Sequence, residues 1–461
     1  MLTSTAPTSS VQRLISRLQS DIASGAMASG AVSGTESELC AYYGVSPTIF
    51  RQAARLLEAA DVAAMRRGHR GGLVVHGYSL DGAAKSIATY LELTGAGVAD
   101  LLPPSSHIQA WAVRMAADRM TLAAADGLRR GMADIAAADS GFARGVAFVA
   151  LSQRLVVAAG NPIISLAHRV ALHFYFDVTP FETAPPENFH KAAVKLSAIV
   201  EAVIAGDLIN AGARIDAWTA YHVRVLADPA RANLEAPLLQ GGSGRTLSEQ
   251  LARRMLKEIR LGAWPAGHRL GSEPELMGRY DVSRATFRQS VRLLEQYGAV
   301  QCRRGPGGGL FTTAPSPEHV HQLAVTALAQ GGADRGDLQE ASRILAGLAF
   351  DLGLARDPVS LPAQLGHARA AMERDPAGAF AIVTDALIGA ADSRFLAFLL
   401  QLAARVERDL GRAAPSGPAA GLALDEVIHS LRKSDTARAR RALMAFVADF
   451  GLTGAAGPAA S

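Results

Sequence analysis

Apolar residues fall at helical spacing along most of this chain. From residue 247, Leu247, Leu251, Met255 and Ile259 recur every four positions, which predicts an amphipathic helix. Pro265 and Gly267 break that pattern, and Glu273–Tyr280 reads as a short second helix that buries Leu276. Asp281 and Val282 make a tight turn. Ser283 then suits the start of a third helix, because its hydroxyl accepts from the first free backbone amides. In that helix Phe287, Ser290, Val291 and Leu294 share one face and leave Arg284, Arg288 and Arg292 elsewhere. Gly298–Cys302 reads as a strand, Arg303–Gly309 as a basic hairpin tip, and Leu310–Thr312 as the returning strand.

The pattern occurs twice. Tyr42–Leu73 aligns with Arg279–Leu310 without a gap, at the constant offset of 237 positions that separates Val45 from Val282. Upstream the same offset pairs Gly25 with Gly262, Gly30 with Gly267, Glu36 with Glu273 and Glu38 with Glu275. The chain therefore reads as a tandem duplication. In the first copy Ser46 still caps, and Pro47 suits the first helical position but stands where the second copy has Arg284. Arg51 and Arg55 stand opposite Arg288 and Arg292, and Arg66, Arg67 and Gly68 opposite Arg303, Arg304 and Gly305. His69 and Arg70 add local charge.

Each copy is followed by a long helical pattern. The first includes amphipathic stretches at Ala110–Met120, Val146–Ala159 and Ala192–Ile204, with Pro103–Pro104 and Pro185–Pro186 read as joints between helices. The second includes Leu338–Leu354, Ala377–Ala390 and Leu396–Leu410. The expected division is 1–78, a first reader; 79–228, a helical bundle; 229–246, a flexible linker; 247–316, a second reader; 317–453, a second bundle; and 454–461, a disordered tail.

Composition narrows the field. A chain of 461 residues with 49% hydrophobic and only 6% aromatic residues suits helix packing in several domains. Two cysteines, Cys40 and Cys302, cannot make a disulfide framework, which fits a reducing, cytoplasmic setting. The start shows no signal peptide, and no apolar run is long enough to span a membrane. A formal net charge of +4 is compatible with a polyanionic partner. No GxSxG elbow, P-loop, HExxH or paired-cysteine zinc pattern occurs, so an enzyme is not expected.

A helix that presents arginines from its first turns suits the major groove, where a guanidinium reaches guanine edges or phosphates. A basic, glycine-rich hairpin lets backbone and arginines approach the phosphates. Together the run L-G-S-E-x-E-L, Y-x-V-S-R-x-x-F-R-x-x-V-x-x-L-E-x-x-G-x-V and the G-x-G-G-G turn resembles the winged helix-turn-helix reader of the GntR family of bacterial regulators. Both copies resemble it, the second more closely. The resemblance implies DNA contacts from Ser283, Arg284, Thr286 and Arg288 on the recognition helix, and from Arg303, Arg304 and Gly305 on the wing. Carried to the first copy, it implies contacts from Ser46, Thr48, Arg51, Arg66, Arg67 and Gly68.

The fold class expected is mainly α: two winged helix-turn-helix domains, three helices plus a small hairpin each, and each followed by an all-α bundle. The bundles resemble the FCD type of ligand-sensing domain, through the turn Ala158–Pro162 and the Glu201–Asp207 stretch repeated near Val427–Asp435. That resemblance implies a small organic acid or acyl effector, and in many members a metal held by an Asp and three His. Counting from those turns puts Phe148, Ser152, Leu196 and Trp218 at the ligand positions of the first bundle, and Phe380, Thr384, Leu424 and Phe446 at those of the second. Such side chains do not ligate a divalent metal, and His190 and His222 are off register, so no metal and no cofactor are expected. Phe148, Ser152 and Trp218 instead stand as candidate effector-pocket residues, with a filled core as the competing reading.

The expected function is a transcriptional regulator, repression being the family's commoner mode. It would bind a double-stranded operator with two half-sites as an intramolecular pseudo-dimer or a homodimer. An architectural DNA binder that needs no effector is the alternative.

Overall fold

The computed structural model describes residues 10–23, 25–28, 30–59, 62–66, 68, 71–178, 186–226, 246–262, 264–303, 305, 307–375, 378–409 and 418–452. Nearly all of the linker and the whole tail expected from the sequence lie outside the described residues, as do Arg67, His69, Arg70 and Arg304. The chain divides into two compact units that do not follow its linear order. Residues 1–93 and 243–331 form one, and residues 94–242 and 332–461 form the other.

The first unit holds both copies of the repeat. Helices α1 (Ser10–Ala23), α2 (Glu36–Tyr43) and α3 (Pro47–Ala59) precede the antiparallel strands β1 (Ala63–Arg66) and β2 (Gly72–Val75). Helix α4 (Leu80–Leu93) follows. In the second copy α11 (Leu247–Leu261) leads to β3 (Arg269–Gly271), α12 (Glu273–Tyr280) and α13 (Arg284–Gln296). Strands β4 (Val300–Arg303) and β5 (Gly309–Thr312) then complete a sheet ordered β3-β5-β4, and α14 (Glu318–Gln330) follows. Strand β3 was not anticipated from the sequence, because three residues are too short for an alternation to show. Its first-copy counterpart is a single bridge between Val32 and Val74.

Local chemistry repeats at the offset of 237. Tyr43 donates its hydroxyl to Asp21 at 2.6 Å, and Tyr280 does so to Glu258 at 2.9 Å. Arg17 lies over the Tyr43 ring and Arg254 over the Tyr280 ring. Thr35 with Glu38, and Ser272 with Glu275, each form a reciprocal capping box, which satisfies free amides at the start of α2 and α12. The turn after these helices is left-handed in both copies, at Gly44 (φ 66°) and Asp281 (φ 51°). Phe50, Ala54 and Leu57 in α3, and Phe287, Val291 and Leu294 in α13, bury the apolar face read from the sequence.

Helices α4 and α14 pack against each other and belong with the repeated blocks, whereas the sequence reading placed them at the head of the bundles. Their buried faces explain this: Ile87 and Leu91 in α4, and Val320, Leu323 and Ala327 in α14, are all inaccessible to water.

Among the described residues, the regular elements of the second unit are all helices. Its first half contains α5 (Val98–Asp118), α6 (Leu122–Ala137), α7 (Gly141–Val157), α8 (Pro162–Val178), α9 (Pro186–Ile204) and α10 (Leu208–Leu226). Its second half contains α15 (Arg335–Arg356), α16 (Leu361–Arg374), α17 (Ala379–Ala391), α18 (Arg394–Asp409), α19 (Pro418–Arg432) and α20 (Thr436–Leu452). Pro103 and Pro104, expected to separate helices, lie inside α5. A proline removes one helical hydrogen bond. The Asp100 carbonyl, four residues before Pro104, instead accepts from Ser393 Oγ at 2.9 Å, so tertiary contact replaces the missing bond. Among the described residues no helix is long and apolar enough to cross a membrane.

Candidate nucleic-acid interface

In the second copy the start of α13 is built by its cap. Ser283 accepts from the Thr286 amide at 3.2 Å, and the two hydroxyls are 2.9 Å apart. The helix is anchored from behind by Ser290, whose buried hydroxyl donates to the Ser248 carbonyl of α11 at 2.8 Å. With that face fixed, Arg284 and Arg288 are left on the exposed side. Both converge on one carboxylate. Arg284 Nε donates to Glu273 Oε1 at 2.8 Å, and Arg288 donates from Nε to Oε1 at 2.8 Å and from Nη2 to Oε2 at 3.1 Å. The Arg288 hydrogen bonds, then those of Arg284, hold the Glu273 carboxyl below the usual carboxylate range.

The first copy carries the same device with one guanidinium fewer. Arg51 Nε donates to Glu36 Oε1 at 2.8 Å, and Pro47 occupies the position of Arg284. Ser46 accepts from the Ile49 amide, and Ser46, Thr48 and Arg51 are all exposed. Two guanidiniums on one carboxylate leave a net positive helix start in the second copy. One on one leaves the first copy neutral there.

The hairpins complete the surface. Arg303 is exposed and its guanidinium lies over the Phe311 ring. Gly305 and Gly68 are exposed and adopt φ of 100° and 113°, a conformation that L side chains rarely take. Arg66 is exposed on β1. Gly309 and Gly72 do a different job: a Cβ at either would run into the carbonyl of Gly271 or Gly34, so the wing closes against the turn before the second helix.

The two carboxylates were matched by the repeat but not singled out as site residues. A Glu at the start of a short helix reads as a helix-dipole partner, and only the fold brings it across to the next helix.

In the first bundle two of the positions counted as metal-ligand positions lie side by side. Phe148 and Trp218 have ring centroids 6.3 Å apart. Ser152 Oγ lies 3.1 Å from His168 Nε2 and accepts from Gln109 Nε2 at 3.2 Å. His168 was not singled out from the sequence. It is wholly buried, and burial, with the nearby Arg169 charge, brings its pKa down to about 4. In the second bundle Phe380, Thr384, Leu424 and Phe446 are buried, and Thr384 donates to the Phe380 carbonyl of its own helix. Among the described residues no three His, Cys, Asp or Glu side chains group as metal ligands; the side chains of His190 and His222 lie outside them.

The second copy, three helices with a β-hairpin and an arginine-bearing third helix, is a helix-turn-helix domain. Residues 247–309 match the family model described as bacterial regulatory proteins, gntR family, and this stretch is a GntR-family domain. Over 72 residues the chain is 36% identical to a Mycobacterium gastri protein described as HTH-type transcriptional regulator RmpR. That match takes in 15% of this chain, which thus spans 26% of the length of the relative. Among solved structures, Streptococcus agalactiae GntR aligns at 20% identity and a TM-score of 0.33, covering 43% of this chain and 97% of that one. E. coli McbR/YncC aligns at 15% identity and a TM-score of 0.24, covering 48% and 99%.

Proposed function

We propose that this chain is a sequence-specific DNA-binding transcriptional regulator with two covalently linked, unequal readers. The observation that carries the reading is the convergence of Arg284 and Arg288 on Glu273 at the exposed start of α13. Two guanidiniums are held four residues apart, with their remaining donors available for phosphate or guanine. The first copy, with Arg51 on Glu36 and Pro47 in place of the second arginine, is a weaker reader. Ser283, Thr286, Arg303, Arg304 and Gly305, and in the first copy Ser46, Thr48, Arg66, Arg67 and Gly68, are proposed to contact the backbone or base edges around these arginines.

The two halves are proposed to pair within one chain. Two contacts in the bundle unit support this. Ser393 Oγ donates to the Asp100 carbonyl at the start of α5, and Asn161 Nδ2 donates to the Asp337 carbonyl at the start of α15. Asp100 and Asp337 stand at the repeat offset and each accepts from the backbone amide of its own helix cap, Gly97 or Asp334, so each half receives the same kind of contact from the other. The resulting operator is an imperfect palindrome, and occupancy by the dimer-like pair represses. The first bundle, with Phe148 beside Trp218 and Ser152 beside the buried His168, is the proposed effector sensor for an organic acid or acyl group. The second, filled at the matching positions, is a pairing element.

Selection of bound duplexes from a random pool tests this. One strong and one degenerate half-site are expected. Enrichment of nothing overturns DNA reading, and two equal half-sites overturn the inequality. A thermal-shift screen of organic acids and acyl thioesters tests the sensor.

A further inference from the structure

Contacts between the halves follow the repeat in position but not in chemistry. In the first unit, Arg253 of α11 forms an ion pair with Glu92 of α4 at 2.6 Å, with both side chains largely buried. At the repeat offset stand Ser16 and Ala329, which carry no charge. Tyr297, at the end of α13 and buried, is hydrogen-bonded to the side chains of Thr89 and Ser86 of α4. Its counterpart in the first half is Ala60, and the counterpart of Ser86 is Leu323.

The second unit repeats the asymmetry independently. Glu340 of α15 takes Arg119 through two hydrogen bonds, at 2.5 and 3.1 Å, and Asn161 Nδ2 at 3.1 Å. The residue at the offset of Glu340 is Pro103. The next residue, Pro104, is the one that frees the Asp100 carbonyl for Ser393; its counterpart Ala341 has an amide of its own. In each unit one half supplies what the other lacks.

We propose that the two halves are complementary partners that fit each other and mismatch copies of themselves, so two chains do not associate by pairing like half with like half. The inference rests on the intramolecular pairing proposed above and adds its specificity. Pairing two first halves would bury Glu92 against Ser16. Pairing two second halves would bury Arg253 against Ala329. A buried charge without its partner is strongly disfavoured, so both like pairings are rejected.

The test uses the full chain, dye-labelled at the exposed Cys302. Donor- and acceptor-labelled preparations are unfolded together, refolded at high concentration, and read by energy transfer and light-scattering mass. The wild type is expected to return at one-chain mass without transfer. E92A/R253S gives both halves the neutral residues already present at Ala329 and Ser16, and two-chain species with like halves paired are expected. Energy transfer at two-chain mass in the wild type overturns the intramolecular pairing itself. A double variant that stays single-chain as cleanly as the wild type overturns the part of the complementarity assigned to the Glu92–Arg253 pair. Melting midpoints give a second check that survives partial unfolding. E92A and R253S should each lower the midpoint, with the double variant recovering part of the loss. Simple addition of the two losses overturns the proposed coupling.

Discussion

Glu273 receives Arg288 through two parallel hydrogen bonds, Nε to Oε1 at 2.8 Å and Nη2 to Oε2 at 3.1 Å. This side-on geometry fixes the plane of the guanidinium and leaves its other edge outward. Arg284 shares the same oxygen, so one carboxylate orders two exposed cations. Exposed ion pairs contribute at most about 1 kcal/mol, so the arrangement orients the arginines without locking them away from a stronger anionic partner.

If Arg284 makes the proposed base contact, Arg284→Ala should cost roughly 1–3 kcal/mol of binding and broaden preference at one half-site. Pro47→Ala, at the matching position of the first copy, should change little. Fluorescence anisotropy with a selected duplex measures both, and equal losses would count against unequal readers.

Glu273→Gln should act in the opposite sense on unselected DNA. Removing the carboxylate raises the positive charge at the start of α13. Binding to random-sequence duplex should tighten and its dependence on salt steepen, while discrimination for the selected site falls. Plots of log affinity against log salt for both duplexes provide the check. An unchanged ratio between them would mean that Glu273 does not orient the arginines.

Gly309→Ala and Gly72→Ala should each destabilise by more than about 1 kcal/mol, since both residues hold a positive φ and a Cβ has no room. The closest atom is a carbonyl in each case, so the hairpin must move. Thermal melting compared with Gly305→Ala, where nothing lies near the added carbon, isolates the close approach from the backbone conformation.

His168 makes the fold sensitive to acid. Its folded pKa of about 4 lies below the ordinary value of 6.5, so the unfolded chain binds the proton more readily. Stability is therefore complete above about pH 6.5 and declines as pH falls toward 4. Between pH 7 and pH 5 the loss from this one group should be about 2 kcal/mol. Denaturant unfolding at the two pH values, in the wild type and in His168→Gln, tests this. A pH dependence that survives in the variant would assign it to other groups.

Much of the second copy was legible residue by residue. Ser283 as a cap, Asp281 at the turn, the buried face of Phe287, Val291 and Leu294, and a hairpin after Val300 all follow from local rules. Hydrogen bonds of caps and turns close within a few residues, so the sequence states them directly. The repeat extended that legibility to the first copy, down to the capping glutamates Glu38 and Glu275.

The reading failed wherever a residue's partner is distant in sequence. Pro103 and Pro104 looked like a break, and only Ser393, nearly three hundred positions away, explains why the helix runs through them. Helices α4 and α14 looked like the start of bundles, and only their mutual burial places them with the repeated blocks. The basic character of α3 and α13 was likewise plain from Arg51, Arg284 and Arg288. Their restraint by Glu273 and Glu36 was not, because periodicity records which face a residue occupies and not which neighbouring helix that face meets. The sequence by itself determined the repeat, its helices and the cations they display. The tertiary structure decided which carboxylate holds those cations and which side chains of the two halves meet, because both depend on residues brought together from distant positions.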